Sequence, residues 1–218
     1  AKRAPNQNHL NDEVDAFRRQ YRQTSLGRYY SGWAHLSFTS AGAIFAIAVA
    51  CGQLSSIGLI ECLSAPLAFL IANLVEHRVH RGPMHHPTAL RVLYERHTLE
   101  HHRYFTQTAM VAPSHRDFKM VLFPPVMLVF FLGFIALPLS AALYFILSPN
   151  TGLLFGVTAI TYFLSYEWLH LAYHLPPSSW VGRLPFMARL RRHHTVHHDM
   201  NLMSRWNFNV TFPIADRI

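Results

Sequence analysis

The sequence predicts an all-α integral membrane protein, with about four transmembrane helices and a helical cap on the cytosolic side. Three observations carry this. Of the 218 residues, 51% are hydrophobic and only 14% are charged, a balance unlike that of most soluble domains. Two apolar runs, Trp33 to Val75 and Met120 to Leu169, are each long enough for two spans of about 20 residues. Finally, all 19 Lys and Arg residues lie outside those runs.

Residues 1–32 are polar and form a cytosolic or interfacial N-terminal segment. Leu10, Val14, Phe17 and Tyr21 recur at helical spacing among charges, which predicts a helix over 10–22 lying on the membrane surface. No cleavable signal pattern precedes the first apolar run, so its helix is expected to be retained. Spans are expected at 34–50, 56–75, 120–147 and 152–172, with breakers in CGQLSS and SPNTG for the turns. The third run is overlong and contains Pro138, which is expected to kink it or divide it into two short helices. Residues 178–192, SSWVGRLPFMARLRR, mix aromatic, apolar and basic side chains as interfacial segments do.

Charge sets the topology. Basic residues fall in three stretches, Lys2–Arg28, Arg78–Lys119 and Arg183–Arg217, holding six, seven and six. With four spans these stretches share one side, which the positive-inside rule makes the cytoplasm. Two full crossings in the third run would put the last stretch outside. A net charge of +8 is therefore read as cytosolic-face bias rather than nucleic-acid binding. Cys51 and Cys62 are too few for a disulfide framework or a four-cysteine metal site and are read as small buried hydrophobes.

Thirteen of the 16 histidines crowd into two windows, 77–102 and 170–198, about a quarter of the chain. Both windows follow a span directly and emerge on the same face, so the clusters converge in space. His170 and His174 are four apart, as are His97 and His101, with His102 adjacent; such spacings share a helix face. His194, His197 and His198 follow i, i+3, i+4 spacing. His80 and His85 are five apart, which a regular helix splays by about 140°; Gly82 and Pro83 are expected to break the helix and bring the rings round. Neutral imidazole suits Fe, Zn, Cu and Ni, and these ten rings can saturate two ions. His77, His86 and His193 are read as additional or supporting residues, and His9, His35 and His115 as ordinary hydrogen-bonded interface side chains.

Glu167 and His170 make one E-x-x-H unit, the ligand pattern of carboxylate-bridged di-iron bundles, but no second unit exists. Glu76, Glu95, Glu100, Glu167 and Asp199 are read as acceptors for imidazole N–H groups or as surface charges. Glu61 lies near the far interface and is read as a satisfied polar residue. No dinucleotide, P-loop or G-x-S-x-G signature occurs, so no nucleotide or flavin site is visible, and the thiols are too few for an iron–sulfur cluster.

Taken in order, HRGPMH, HTLEHHRYF, HLAYH and HHTVHH resemble the histidine boxes of the fatty acid hydroxylase/sterol desaturase superfamily, integral membrane enzymes with a histidine-ligated two-metal centre. NFNVTFPIADRI is similar to the segment after the last box in bacterial members. The resemblance covers roughly 56–218, leaves room for a further short C-terminal piece, and makes 33–218 one membrane-embedded hydroxylase-like domain. It implies as metal ligands His80, His85, His97, His101, His102, His170, His174, His194, His197 and His198, with His77 an alternative partner for His80 and no catalytic residue beyond the ligands. The second box has three intervening residues where many hydroxylases have two, a departure shared with acyl desaturases.

The resemblance further implies an O2-dependent di-iron monooxygenase that hydroxylates a fatty acyl chain or sterol-like lipid, or a desaturase using the same ligands. Two iron ions are implied, with zinc a possible substitute in recombinant material. Electrons would come from an external donor, a ferredoxin or cytochrome b5-like protein, docked on the basic face. A histidine-rich metal transporter or sensor is the non-enzymatic alternative, though transport wants ligands near the bilayer midplane.

Overall fold

The computed structural model describes residues 7–218, with side chains from residue 11 onward; Leu10 and His9 therefore fall outside the described side chains. Every regular element among the described residues is helical. Helix α1 is Gln7–Thr24 and α2 is Gly32–Gly52. Helix α3 is Leu59–Met84, α4 covers residues 91–104, and α5 is Pro125–Ile146. Helix α6 is Pro149–His174 and α7 is Met187–His197.

Among the described residues three helices, α2, α3 and α5, are long and apolar enough to cross a membrane. The expected four spans thus meet three that qualify by composition; α6, in the place of the fourth, carries Asn150, Glu167 and two histidines. It is nonetheless the axis of the bundle, packed against α2, α3 and α5. Only 17%, 17% and 11% of the α2, α3 and α5 windows is buried, so each spanning helix gives the protein one narrow face and the surroundings the rest. In α2 the inner face is His35, Thr39 and Ala43, one residue per turn, and small groups there let the helices approach. Phe38, Ile44, Phe45 and Val49 point outward, which costs little against lipid and would be unfavourable in water. Cys51 and Cys62 are exposed rather than buried, because each lies on an outward face of a thin bundle.

Pro138 neither splits nor ends the third run. A π-turn, Phe131–Ala136, precedes it, with the Leu137 N–H bonded to Leu132 O. The widened turn absorbs the disruption of a proline that lacks the N–H and crowds the preceding turn. At the far end, Glu61 accepts from Ser148 Oγ at 2.5 Å, Gly58 N at 2.7 Å and Asn150 Nδ2 at 2.9 Å, joining the two distal turns as a satisfied polar group.

The cap sits on the opposite end. Val14 and Tyr21, expected on the membrane surface, are buried in the protein instead; Tyr21 and Phe17 pack edge-on against Tyr104. Arg18 donates to Tyr104 O at 2.9 Å and Ala109 O at 2.6 Å, and Arg22 forks onto Asp117 with two bonds of 2.8 Å. Amphipathic spacing marked a face of α1 without naming what covers it. His35 bonds Tyr30 OH at 2.8 Å and Phe123 O at 2.9 Å, as an ordinary interface histidine does.

Candidate metal centre

The ten histidines of the four boxes are buried and meet at one end of the bundle. They divide into two groups of five. His80, His85, His97, His102 and His197 form one, and His101, His170, His174, His194 and His198 the other; within each group the nitrogens that could bind an ion lie within 4.8 Å of one another. Neither group contains a carboxylate or a thiol.

Local helix geometry makes the division. In α4 the segment Glu95–His101 is a π-turn, and the His102 N–H bonds His97 O, five residues back. The ring of His102 therefore returns above His97, with Nε2 atoms 3.1 Å apart, while His101 faces the other way. At the end of α3, His80–Met84 is a second π-turn that contains Pro83. Gly82 and Pro83 thus do not break the helix as expected. The wider turn instead stacks His80 on His85, ring centroids 5.2 Å apart, and cures the splay of five-residue spacing in an α-helix. At the end of α7, His194 and the C-capping His198 share a face with Nε2 atoms 3.0 Å apart, and His197, one step aside, reaches His85 at 3.1 Å. His170 and His174 sit one turn apart on α6, their Nε2 atoms 3.3 Å from those of His101 and His194 respectively.

The donor set fits metal ions. Imidazoles bound at about 2.0–2.1 Å place neighbouring nitrogens about 3 Å apart, and Nε2 pairs here lie at 2.7–3.3 Å. Six of the ten outer nitrogens are occupied, while Nδ1 of His102, His170 and His194 is buried without a partner among the described residues. Nδ1 of His101 donates to Met120 O at 2.7 Å, His174 to Met110 O at 2.8 Å, His197 to Trp206 O at 3.0 Å and His198 to Phe105 O at 2.6 Å. His80 Nδ1 donates to Phe208 O, and His85 Nδ1 pairs with Thr98 Oγ1 at 3.2 Å. Such bonds hold the proton on Nδ1 and leave the Nε2 lone pair facing inward. Burial lowers His101 to about 3 and His197 to about 4, and burial with neighbouring rings lowers His97, His102, His194 and His198 well below 6.5. All are neutral at physiological pH, the form that binds metal.

The acceptors expected among carboxylates are backbone carbonyls and one threonine. Glu167 is buried but accepts from Phe123 N at 3.2 Å and belongs to neither group. Asp199 closes a surface turn onto Asn201 N at 2.9 Å, and His86 Nδ1 pairs with Arg81 O at 2.9 Å on the exterior. His193 and His77 approach Asp216 at 3.0 and 3.6 Å rather than an ion. Sequence reasoning missed Asn73, Asn209 and Asp216, and left Glu76 undecided. Glu76 accepts from Val210 N at 2.5 Å, Thr211 Oγ1 at 2.6 Å and Asn209 Nδ2 at 3.1 Å, which fastens the C-terminal segment to α3.

Helices apolar enough to cross a membrane end in a buried, all-imidazole double cluster whose donor set can hold metal ions. A model of the fatty acid hydroxylase family matches residues 65–218, and the chain belongs to that family. Its members are lipid hydroxylases and desaturases, oxidoreductases with metal-dependent catalysis. The hydroxylase domain of full-length Scs7p is similar in fold, with a TM-score of 0.58 at 19% identity, over 86% of this chain and 65% of that one. This chain thus spans slightly less than two thirds of that protein. No curated protein sequence matches it.

Proposed function

We propose that this protein is an O2-dependent, two-iron membrane monooxygenase that hydroxylates an unactivated C–H bond of a lipid, either a fatty acyl chain or a sterol-like molecule. The observation that carries this is the pair of adjacent, buried five-histidine groups at the end of apolar spans. One ion would be held by His80, His85, His97, His102 and His197, the other by His101, His170, His174, His194 and His198. Bound iron would supply accessible redox states and O2 activation.

The chain's own residues bind, orient and exclude water. Backbone carbonyls aim five of the imidazoles, those of His80, His101, His174, His197 and His198, and Phe105 lies 4.1 Å from the His174 ring while Phe208 lies 5.8 Å from His197, closing the clusters to solvent. A lipid with a polar head and a long tail suits a site where cap meets bilayer, and the tail would enter between α3 and α6, whose ends carry histidines. Helix α6, with 26 residues, is about 39 Å long, enough for a fourth crossing. Both termini and the cap would then face the cytoplasm. Electrons would come from an acidic ferredoxin or cytochrome b5-like carrier on the exposed Arg78, Arg81, Arg103 and Arg192. Arg191 is engaged, donating to Leu175 O at 2.8 Å, and Arg103 stacks over Phe17, so charge reversal of Arg78 and Arg192 is the cleaner docking test; unchanged turnover would remove this surface from the account.

Lipid mass spectrometry on cells that supply a reductant tests the reading, beside a His197→Ala, His198→Ala control. A lipid that gains one oxygen atom only with the intact clusters is the expected result. A lipid that instead loses two hydrogens replaces hydroxylation with desaturation, and an unchanged lipid pool overturns both.

A further inference from the structure

The two histidine groups rest on different supports. His101, His174 and His198 of one group all donate to carbonyls between Phe105 and Met120. His80 and His197 of the other donate to Phe208 O and Trp206 O, the residues on either side of Asn207. Asn207 has φ of 61°, in the left-handed region that asparagine tolerates better than most residues. Its Nδ2 donates to His193 O at 2.9 Å, pinning the turn to α7. Asp216 folds back over the same turn, accepting from Phe208 N at 2.8 Å, Asn209 N at 3.0 Å and His193 Nε2 at 3.0 Å. Neither Asn207 nor Asp216 belongs to the histidine groups.

We propose that Asn207 and Asp216 are positioning residues for one metal position only, the one formed by His80, His85, His97, His102 and His197. They hold two carbonyls at the distance that fixes the tautomer and direction of His80 and His197. The second position depends on the 105–120 loop and is independent of them. The inference rests on the metal-centre reading above. Loss of such an outer hydrogen bond typically weakens metal binding by about 10–100-fold, so under a competing chelator one ion leaves before the other.

The test counts metal per full-length chain, purified in detergent and dialysed against a chelator that leaves the wild type loaded. The wild type is expected to keep two ions and Asp216→Asn one. In a His174→Ala background, which disables the second position, adding Asp216→Asn removes the remaining ion. In a His197→Ala background, adding it changes nothing. Should Asp216→Asn fail to fold, Asn207→Val, which resists the left-handed turn and removes the bond to His193 O, gives the same answer and keeps one ion. Equal weakening of both positions, or retention of two ions by Asp216→Asn and Asn207→Val alike, overturns the proposal. A wild type that binds no metal overturns the metal-centre reading itself and with it this inference.

Discussion

His101 and His102 are neighbours in the chain and face different histidine groups. His101 Nε2 lies 3.3 Å from His170 Nε2, and His102 Nε2 lies 3.1 Å from His97 Nε2. His197 and His198 repeat the arrangement, reaching His85 and His194. Each H-H pair therefore couples the two clusters through a single peptide bond, which keeps the rings of His102 and His198 only 4.4 Å apart.

Single deletions should separate the positions. His101→Ala and His102→Ala are each expected to lower bound metal from about two ions to about one per chain, whereas one alanine inserted between them should disturb both. Elemental analysis of the purified variants checks this. Two ions retained by the insertion variant would show that the adjacency is incidental.

The Arg22–Asp117 pair should respond unequally to its two deletions. Arg22 is partly exposed and Asp117 is not. Arg22→Ala is expected to cost about 1–2 kcal/mol, since it removes a forked pair from a buried carboxylate that keeps its Tyr104 and Ser114 donors. Asp117→Ala also strips an acceptor from Tyr104 OH at 2.5 Å and Ser114 N at 2.9 Å, for about 2–4 kcal/mol. Thermal melts in detergent rank the two, and a larger loss for Arg22→Ala would contradict the assignment.

Close helix contact between α5 and α6 depends on Gly152. A Cβ there would lie 2.3 Å from Ser140 O and 2.6 Å from Tyr144 N, both backbone atoms, whereas one at Gly82 meets nothing within 4 Å. Gly152→Ala should destabilise by about 1–3 kcal/mol through forced separation of the helices. Gly82→Ala, inside the histidine-bearing π-turn, should leave stability and metal content unchanged.

The metal-free protein should be acid-sensitive. Burial holds His101 at about 3 and His197 at about 4, against about 6.5 in the unfolded chain. Between those values the unfolded chain takes up protons that the folded chain refuses, so stability falls as pH drops from about 6.5 toward about 4 and is flat above that window. Melting of chelator-treated protein across this range measures the effect. A melting temperature that rises on acidification would contradict the neutral, buried clusters.

The membrane character, the spans α2, α3 and α5, and the ten converging histidines were legible because hydropathy and histidine spacing are written in side chains. The division into two groups was not. It depends on π-turns at His80–Met84 and Glu95–His101, and a five-residue hydrogen bond leaves no period in the letters. The supports of the imidazoles were hidden for a related reason: Phe105, Met110, Met120, Trp206 and Phe208 contribute main-chain carbonyls, which every residue possesses. Pro138 signalled an interruption, but sequence could not say that a π-turn would absorb it. Glu61 was readable at its position alone, since a carboxylate between two short distal turns finds donors there.

The most direct test of the central claim supplies 18O2 and a reductant to the iron-loaded protein in lipid bilayers, then follows label into extracted lipid. The account predicts a lipid alcohol that carries a single 18O atom from O2, absent from the His197→Ala, His198→Ala protein. Label recovered only in water, beside an alkene, or an alcohol whose oxygen comes from water, would contradict it.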